Sequence, residues 1–244
     1  MTNKKYDVVA LGELLIDFTE NGLSEQGNPL LEANPGGAPC NVLSMLQKLG
    51  DKTAFIGKVG NDGFGHLLTK AVQEQGIDTT GLVYDNDVHT TLALVLKKEN
   101  GDRDFAFYRN PGADMNLKEE EVNESLIASS SIFHFGTLSL TDESVKMATQ
   151  KAVKAAKENG LTITFDPNLR EPLWRSLEEA HEQVAWGLQQ ADVVKISDNE
   201  ITWFTGMDNY DEGIAFLQKE YPNLKLICLS MGGDGSKAVY RDIH

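Results

Sequence analysis

Cysteine is scarce in this chain of 244 residues: Cys40 and Cys228 are the only two, far apart and in no metal-ligand spacing. That argues against a disulfide framework or a thiolate zinc site, and it fits a reducing cytoplasmic compartment. Long apolar runs are also missing. None approaches the ~20 residues needed to span a bilayer, and the start, Met1 to Asp7, lacks the apolar stretch of a signal peptide. Positive charge is in short supply, with 22 Lys and Arg against 37 Asp and Glu, a net charge of −15. Such a field repels nucleic acid and anionic membranes, so neither is an expected partner. An anionic small ligand would need specific Lys, Arg, metal or backbone N–H groups to offset it. There are no internal repeats, low-complexity tracts or linkers, so residues 1–244 read as a single domain.

What is present centres on Asn34-Pro35-Gly36-Gly37-Ala38-Pro39-Cys40-Asn41. Glycine allows positive φ and close approach of another group. From Val42 to Leu49 apolar residues fall at 42, 43, 45, 46 and 49, a helical spacing. Gly36-Gly37 therefore precede a helix N-terminus, whose free N–H groups and positive dipole end suit a hydroxyl-rich or anionic ligand. An ordinary tight turn before a helix reads the same way.

Along the chain, apolar runs ending in glycine alternate with helical patterns. Tyr6 to Gly12 reads as a buried strand that Glu13 to Phe18 continues. Asp17 and Glu13 are the acidic exceptions there, and each calls for a partner, a ligand or solvent. Asp17 reads equally as a hydroxyl-binding carboxylate or a solvated turn residue. Thr53 to Gly60 is a strand, and Asp62 caps a helix from Phe64 to Gln75. Thr90 to Lys98 and Asp104 to Arg109 form a hairpin around Asn100-Gly101, read as a lid or an edge extension. The rhythm then resumes with strands at 131–136, 161–165, 192–197 and 224–230 and helices from about 142, 176, 198 and 211. A possible capping box joins Ser176 and Glu179. His134, between two Phe residues, reads as a satisfied core residue. Asp166-Pro167-Asn168-Leu169-Arg170 places polar groups at a strand's C-terminal end, where open α/β sheets collect ligands. Met231 to Ser236 is a Gly-rich loop of the kind that lies close to phosphates.

Taken in order, GELLID, NPGGAPCN, IGKVGNDGFG, YRNPGAD, DPNLR, KISDNE and LSMGGDGS resemble the ribokinase-like, or phosphofructokinase-B, sugar kinases across the whole chain. The wording looks most like the fructokinase branch, with 2-keto-3-deoxygluconate kinases close by. The resemblance implies a doubly wound α/β fold, a mostly parallel sheet flanked by helices, with a small β lid drawn from about 12–34 and 88–112. It implies that Asp17, Gly36, Gly37 and Asn41 hold sugar hydroxyls and that Arg109 binds the sugar or its anionic end. Asp166, Asn168 and Arg170 would line the phosphate path, with Arg170 offsetting charge on the transferring group. Lys195, Ser197 and Glu200 would serve the nucleotide phosphates and Mg²⁺-bound water; many relatives carry Asn where this chain has Ser197. Ser230, Gly232 and Gly235 would contact ATP. ATP, Mg²⁺ and a monovalent cation such as K⁺ are the implied cofactors, and dimerisation through the lid is implied by the resemblance alone.

One block of that pattern is absent. The sequence holds no Gly-Ala-Gly-Asp run, whose Asp takes the proton from the attacking hydroxyl and whose helix N-terminus forms the anion hole. Losing a general base costs ~10²–10⁴ in rate, so weak or no turnover is expected of these residues alone. Asp234, in the glycine loop, is no substitute. A non-catalytic sugar-binding protein is the rival reading. A nicotinamide-dependent oxidoreductase fits less well, because Glu13 follows Gly12 where a G-x-G-x-x-G would begin.

Overall fold

The computed structural model describes residues 4–97 and 103–240. Its first strand, Tyr6–Leu11 (β1), shows why the short apolar runs become core strands. Val9 and Leu11 pack into the cluster on one face of the sheet, and Val8 and Ala10 into the cluster on the other. Side chains alternate faces along a strand, so one apolar run serves two helical layers.

After β1 come Leu15–Leu23 (β2), Pro29–Gly36 (β3), helix Ala38–Leu49 (α1), Thr53–Gly60 (β4), helix Gly63–Glu74 (α2) and Asp78–Asp85 (β5). Leu92–Lys97 (β6) and Arg103–Tyr108 (β7) follow, then the short helix Glu124–Ala128 (α3) and Ser130–Gly136 (β8). The remaining elements are Glu143–Glu158 (α4), Thr162–Asp166 (β9), Leu177–Gln190 (α5), Val193–Ser197 (β10), Asp198–Thr205 (α6), Tyr210–Glu220 (α7), Leu226–Ser230 (β11) and Ser236–Tyr240 (β12). No helix among the described residues is long and apolar enough to cross a membrane.

Eight strands form one sheet in the order β12-β11-β10-β9-β8-β1-β4-β5. Every neighbouring pair is parallel except β11 with β12. Cys40 and Leu43 of α1 and Leu68 and Val72 of α2 cover one face. Helices α4 to α7 cover the other, with Ala148, Ala152, Val184, Ile201 and Leu217 in the core. This is the doubly wound α/β arrangement, and it brings the C-terminal ends of the parallel strands to one edge.

Four strands form a second sheet, β3-β2-β6-β7. Phe18 stands edge-on against Phe64 of α2, with ring centroids 5.6 Å apart. The Asn100-Gly101 turn expected between β6 and β7 lies outside the described residues.

The expectation that the first strand continues through Phe18 is corrected: β1 ends at Leu11 and β2 belongs to the other sheet. The break falls where Gly12 abuts Pro39, whose Cγ lies 2.6 Å from where a Cβ at residue 12 would stand. Helix α1 begins at Ala38, directly after the glycine pair expected to precede it, with Pro39 in its first turn, where a missing N–H costs nothing. Strands β3 and β5 and helix α3 are additions that the sequence reading did not contain. Other details match. Asp62 caps α2, accepting from the Gly65 N–H at 2.8 Å. Of the expected Ser176–Glu179 capping box the Ser176 half forms, its hydroxyl accepting from the Glu179 N–H at 3.1 Å. His134 is buried with Nδ1 2.9 Å from Thr164 Oγ1, and burial pulls its pKa down to about 4, so it stays neutral in the core.

Candidate active site

A cleft of about 340 Å³ opens between the two sheets, at the strand edge. One wall is the start of the small sheet. Asp17 pairs with Asn34 across the β2–β3 ladder and is half-buried. Burial raises its carboxyl above the usual carboxylate range, and the charge of Arg170 pulls it back, so the two residues sense each other. Gly36 makes room for that carboxylate: a Cβ there would overlap Asp17 Oδ2.

The floor is the turn into α1. Gly37 is its N-cap at φ 122, a conformation that favours glycine, and a Cβ would strike the backbone oxygen of Glu13. Asn41 follows one turn later, its N–H donating to Gly37 O at 3.0 Å, and its side chain lines the cleft.

The opposite wall is the loop leaving β9. Asp166 Oδ1 accepts from the Asn168 N–H at 3.2 Å, and Lys195 Nζ stands 3.4 Å from Oδ2. Burial raises the Asp166 carboxyl; Lys195 opposes the rise and Glu200 adds to it. Asn168 adopts φ 43, a left-handed conformation that Asn tolerates better than most side chains. That bend and a bond from Thr137 Oγ1 to Pro167 O at 2.5 Å set the loop so that Asp166, Asn168 and Arg170 all face the cleft.

Beside this cleft, further along the strand edge, lies a second group. Ser197 and Glu200 form a reciprocal capping box at the start of α6. Glu200 Oε2 accepts from the Ser197 N–H and hydroxyl, both at 2.8 Å, and Oε1 accepts from the Leu169 N–H at 2.8 Å. Ser230 ends β11 next to Ser197. Gly232 and Gly235 hold φ 52 and 95 in a turn where no atom lies within 4 Å of an added Cβ, which leaves backbone open to a ligand. Among the described residues no group of three His, Cys, Asp or Glu could hold a metal ion. Glu200 spends three of its roughly four lone-pair sites within the protein, which leaves it suited to a water-mediated contact. Mg²⁺ needs few protein ligands when substrate phosphates supply the rest, so these residues fit such an ion.

Residues 5–242 match the pfkB family carbohydrate kinase domain. The chain belongs to that family. It is 43% identical over 240 residues to a probable fructokinase-2 of Arabidopsis thaliana, covering 97% of this chain and 72% of that protein. Among solved structures, fructokinase from Xylella fastidiosa with bound ATP superposes with a TM-score of 0.87 at 29% identity, covering 98% of this chain and 76% of that one. A fructokinase from Vibrio cholerae O395 with fructose, ADP and calcium bound also gives 0.87 at 29% identity, covering 98% and 75%.

The cleft gathers Asp17, Gly37, Asn41, Asp166, Asn168 and Arg170, with Gly36 packed behind Asp17. It does not gather Arg109, which the sequence reading placed against the sugar. Arg109 is 5% exposed and lines a neighbouring cavity of about 390 Å³. Its Nε donates to Asp114 Oδ2 at 2.8 Å, Nη1 to Thr141 Oγ1 at 2.8 Å and Nη2 to Leu138 O at 2.9 Å. The guanidinium is turned inward because Asp114, 2% exposed at its side chain, needs a countercharge. Six residues that line the cleft were not expected there as site residues: Leu15, Ala38, Val42 and Leu138, which are apolar, and Phe107 and Glu13. Phe107 gave no signal beyond strand alternation. Glu13 gave one, a carboxylate in an apolar run.

Proposed function

We propose that this kinase transfers the γ-phosphoryl group of ATP to a hydroxyl of fructose. The observation that carries the reading is the cleft itself, where the hydroxyl-binding groups Asp17, Asn41 and Asn168 share one lining with Arg170. Asp17 accepts hydroxyl protons and the two amides both donate and accept. Arg170 offsets charge on the transferring group. Lys195, Ser197, Ser230, Gly232 and Gly235 receive the nucleotide, and Glu200 meets the metal through water. Mg²⁺, when bound, would neutralise phosphate charge, and K⁺ is the monovalent candidate. The proton of the attacking hydroxyl is assigned to no carboxylate here, since the sequence holds no Gly-Ala-Gly-Asp run. We read the four-stranded sheet as the lid over the sugar. Its exposed Leu23, Leu31 and Tyr108 suit a lid-to-lid homodimer.

Fructose is favoured over 2-keto-3-deoxygluconate on charge. Three acids, Glu13, Asp17 and Asp166, line the cleft among the described residues, against Arg170, while Arg109 is engaged with Asp114. A sugar acid would bring a further negative charge into that field. Calorimetric titration tests the reading. Fructose should bind more tightly than 2-keto-3-deoxygluconate, and Asp17→Ala should weaken fructose by about 100-fold, close to 3 kcal/mol, while leaving ATP affinity unchanged. Equal loss for both ligands, or a preference for the acid, overturns it.

A further inference from the structure

Glu13 occupies an unusual place. It sits in the turn between β1 and β2, 3% exposed, and it lines the cleft floor. Its Oε1 accepts from the Ala38 N–H, the start of α1, at 2.7 Å. Its own backbone oxygen presses on Gly37 so closely that no Cβ fits there. One residue thus braces the glycine turn from two sides.

We propose that Glu13 is a positioning residue for the sugar, a buried carboxylate that fixes the Gly36-Gly37 turn and the first turn of α1 in the geometry that lets Gly37 and Asn41 meet hydroxyls. The inference rests on the reading of this cleft as the sugar site. Its chemical consequence is proton linkage. Burial pushes the Glu13 carboxyl up to about 7; the Ala38 N–H and Arg109 oppose the rise, and Asp114 adds to it. The groups that face it are Arg109 at the end of β7, Asp114 in the turn at 113–116, the Cys40 thiol in α1, and Asp17, Asp166 and Arg170 across the cleft. A hydrogen bond to an ionised carboxylate is roughly twice as strong as one to a neutral group, and a helix N-terminus favours negative charge. The brace is therefore firm above neutrality and weaker below it.

The test is fructose affinity by calorimetry at about pH 8 and about pH 6, on the wild type, Glu13→Gln and Glu13→Ala. The wild type should weaken by about tenfold across that interval, one pKa unit's worth of coupling. Glu13→Gln keeps a neutral acceptor of the same shape, so it should match the low-pH wild type at both pH values. Glu13→Ala should bind worse than Gln throughout, while ATP affinity, as the check on folding, is preserved in both variants. A wild type that binds fructose with a flat profile, or a Gln variant that keeps the wild-type slope, overturns the inference about Glu13 alone. A wild type that binds no fructose at either pH overturns the sugar reading and the inference with it.

Discussion

The two sheets face one cleft but are held in opposite ways. Strand β4 of the large sheet is buried along its whole length, and helices pack on both faces. In the small sheet, β2 is exposed from Glu20 to Leu23 and β3 from Pro29 to Glu32. Asp166 and Arg170, proposed to handle charge, sit at and just beyond the end of β9, which Ile163 and Phe165 anchor in the core on one face. Asp17 and Phe107, proposed to meet the sugar, sit on a sheet fastened to the body by a narrow apolar contact through Ile16 and Phe18 and by polar clusters. One cluster joins Arg109 to Asp114, Thr141 and Leu138. Another joins Asp62 to the Thr90 N–H and hydroxyl, each at 2.8 Å. Apolar burial is non-directional and fixes position by packing, whereas a buried ion pair fixes one registry and fails sharply when a partner is removed.

Breaking the polar fastening should have the largest effect. Arg109→Ala leaves Asp114 buried without its countercharge, at a cost of about 3–5 kcal/mol in urea unfolding. A loss below about 1 kcal/mol would mean that the small sheet is not fastened there. The loop leaving β9 should respond in rate instead of stability. Arg170→Ala should lower kcat by about 10²–10³-fold with little change in the KM for fructose, and an unchanged kcat would remove Arg170 from the reaction. The smallest change probes the meeting point of the sheets. A Cβ at Gly36 displaces the Asp17 carboxylate, so Gly36→Ala should weaken fructose binding by about tenfold, near 1.4 kcal/mol, and leave ATP binding alone. Wild-type fructose affinity in that variant would show that Asp17 does not depend on its neighbour.

Most of the large sheet, β5 apart, was legible because its strands are short apolar runs closed by glycine or polar residues; the stretch 166–170 stood out because it lies at such a closure, and 36–41 because of its paired glycines before a helix. The small sheet was less so. Strand β2 runs through Asp17, Thr19, Glu20 and Asn21, a pattern without a buried face over its second half, and β3 earns its pairing from β2 and not from its own composition. The surroundings of Arg109 were hidden for a tertiary reason. Leu138 and Thr141, which take up its donors, lie about 30 residues on in the chain, beyond any local pattern. Glu13 was visible as an oddity, but its partner, the Ala38 N–H, lies 25 residues on in the chain, beyond any local pattern.

The strand order carries a consequence for how the chain is made. β1 lies between β4 and β8, pairing Val9 with Ala54 on one side and with Phe133 on the other. On a ribosome adding roughly 5–20 residues per second, β8 is complete roughly 4–15 s after β4. Through that interval one edge of the central strand, with its wholly buried Val9, Ala10 and Leu11, has no native neighbour. The nascent chain therefore carries a half-paired central strand through that interval, with its apolar edge open to wrong pairing.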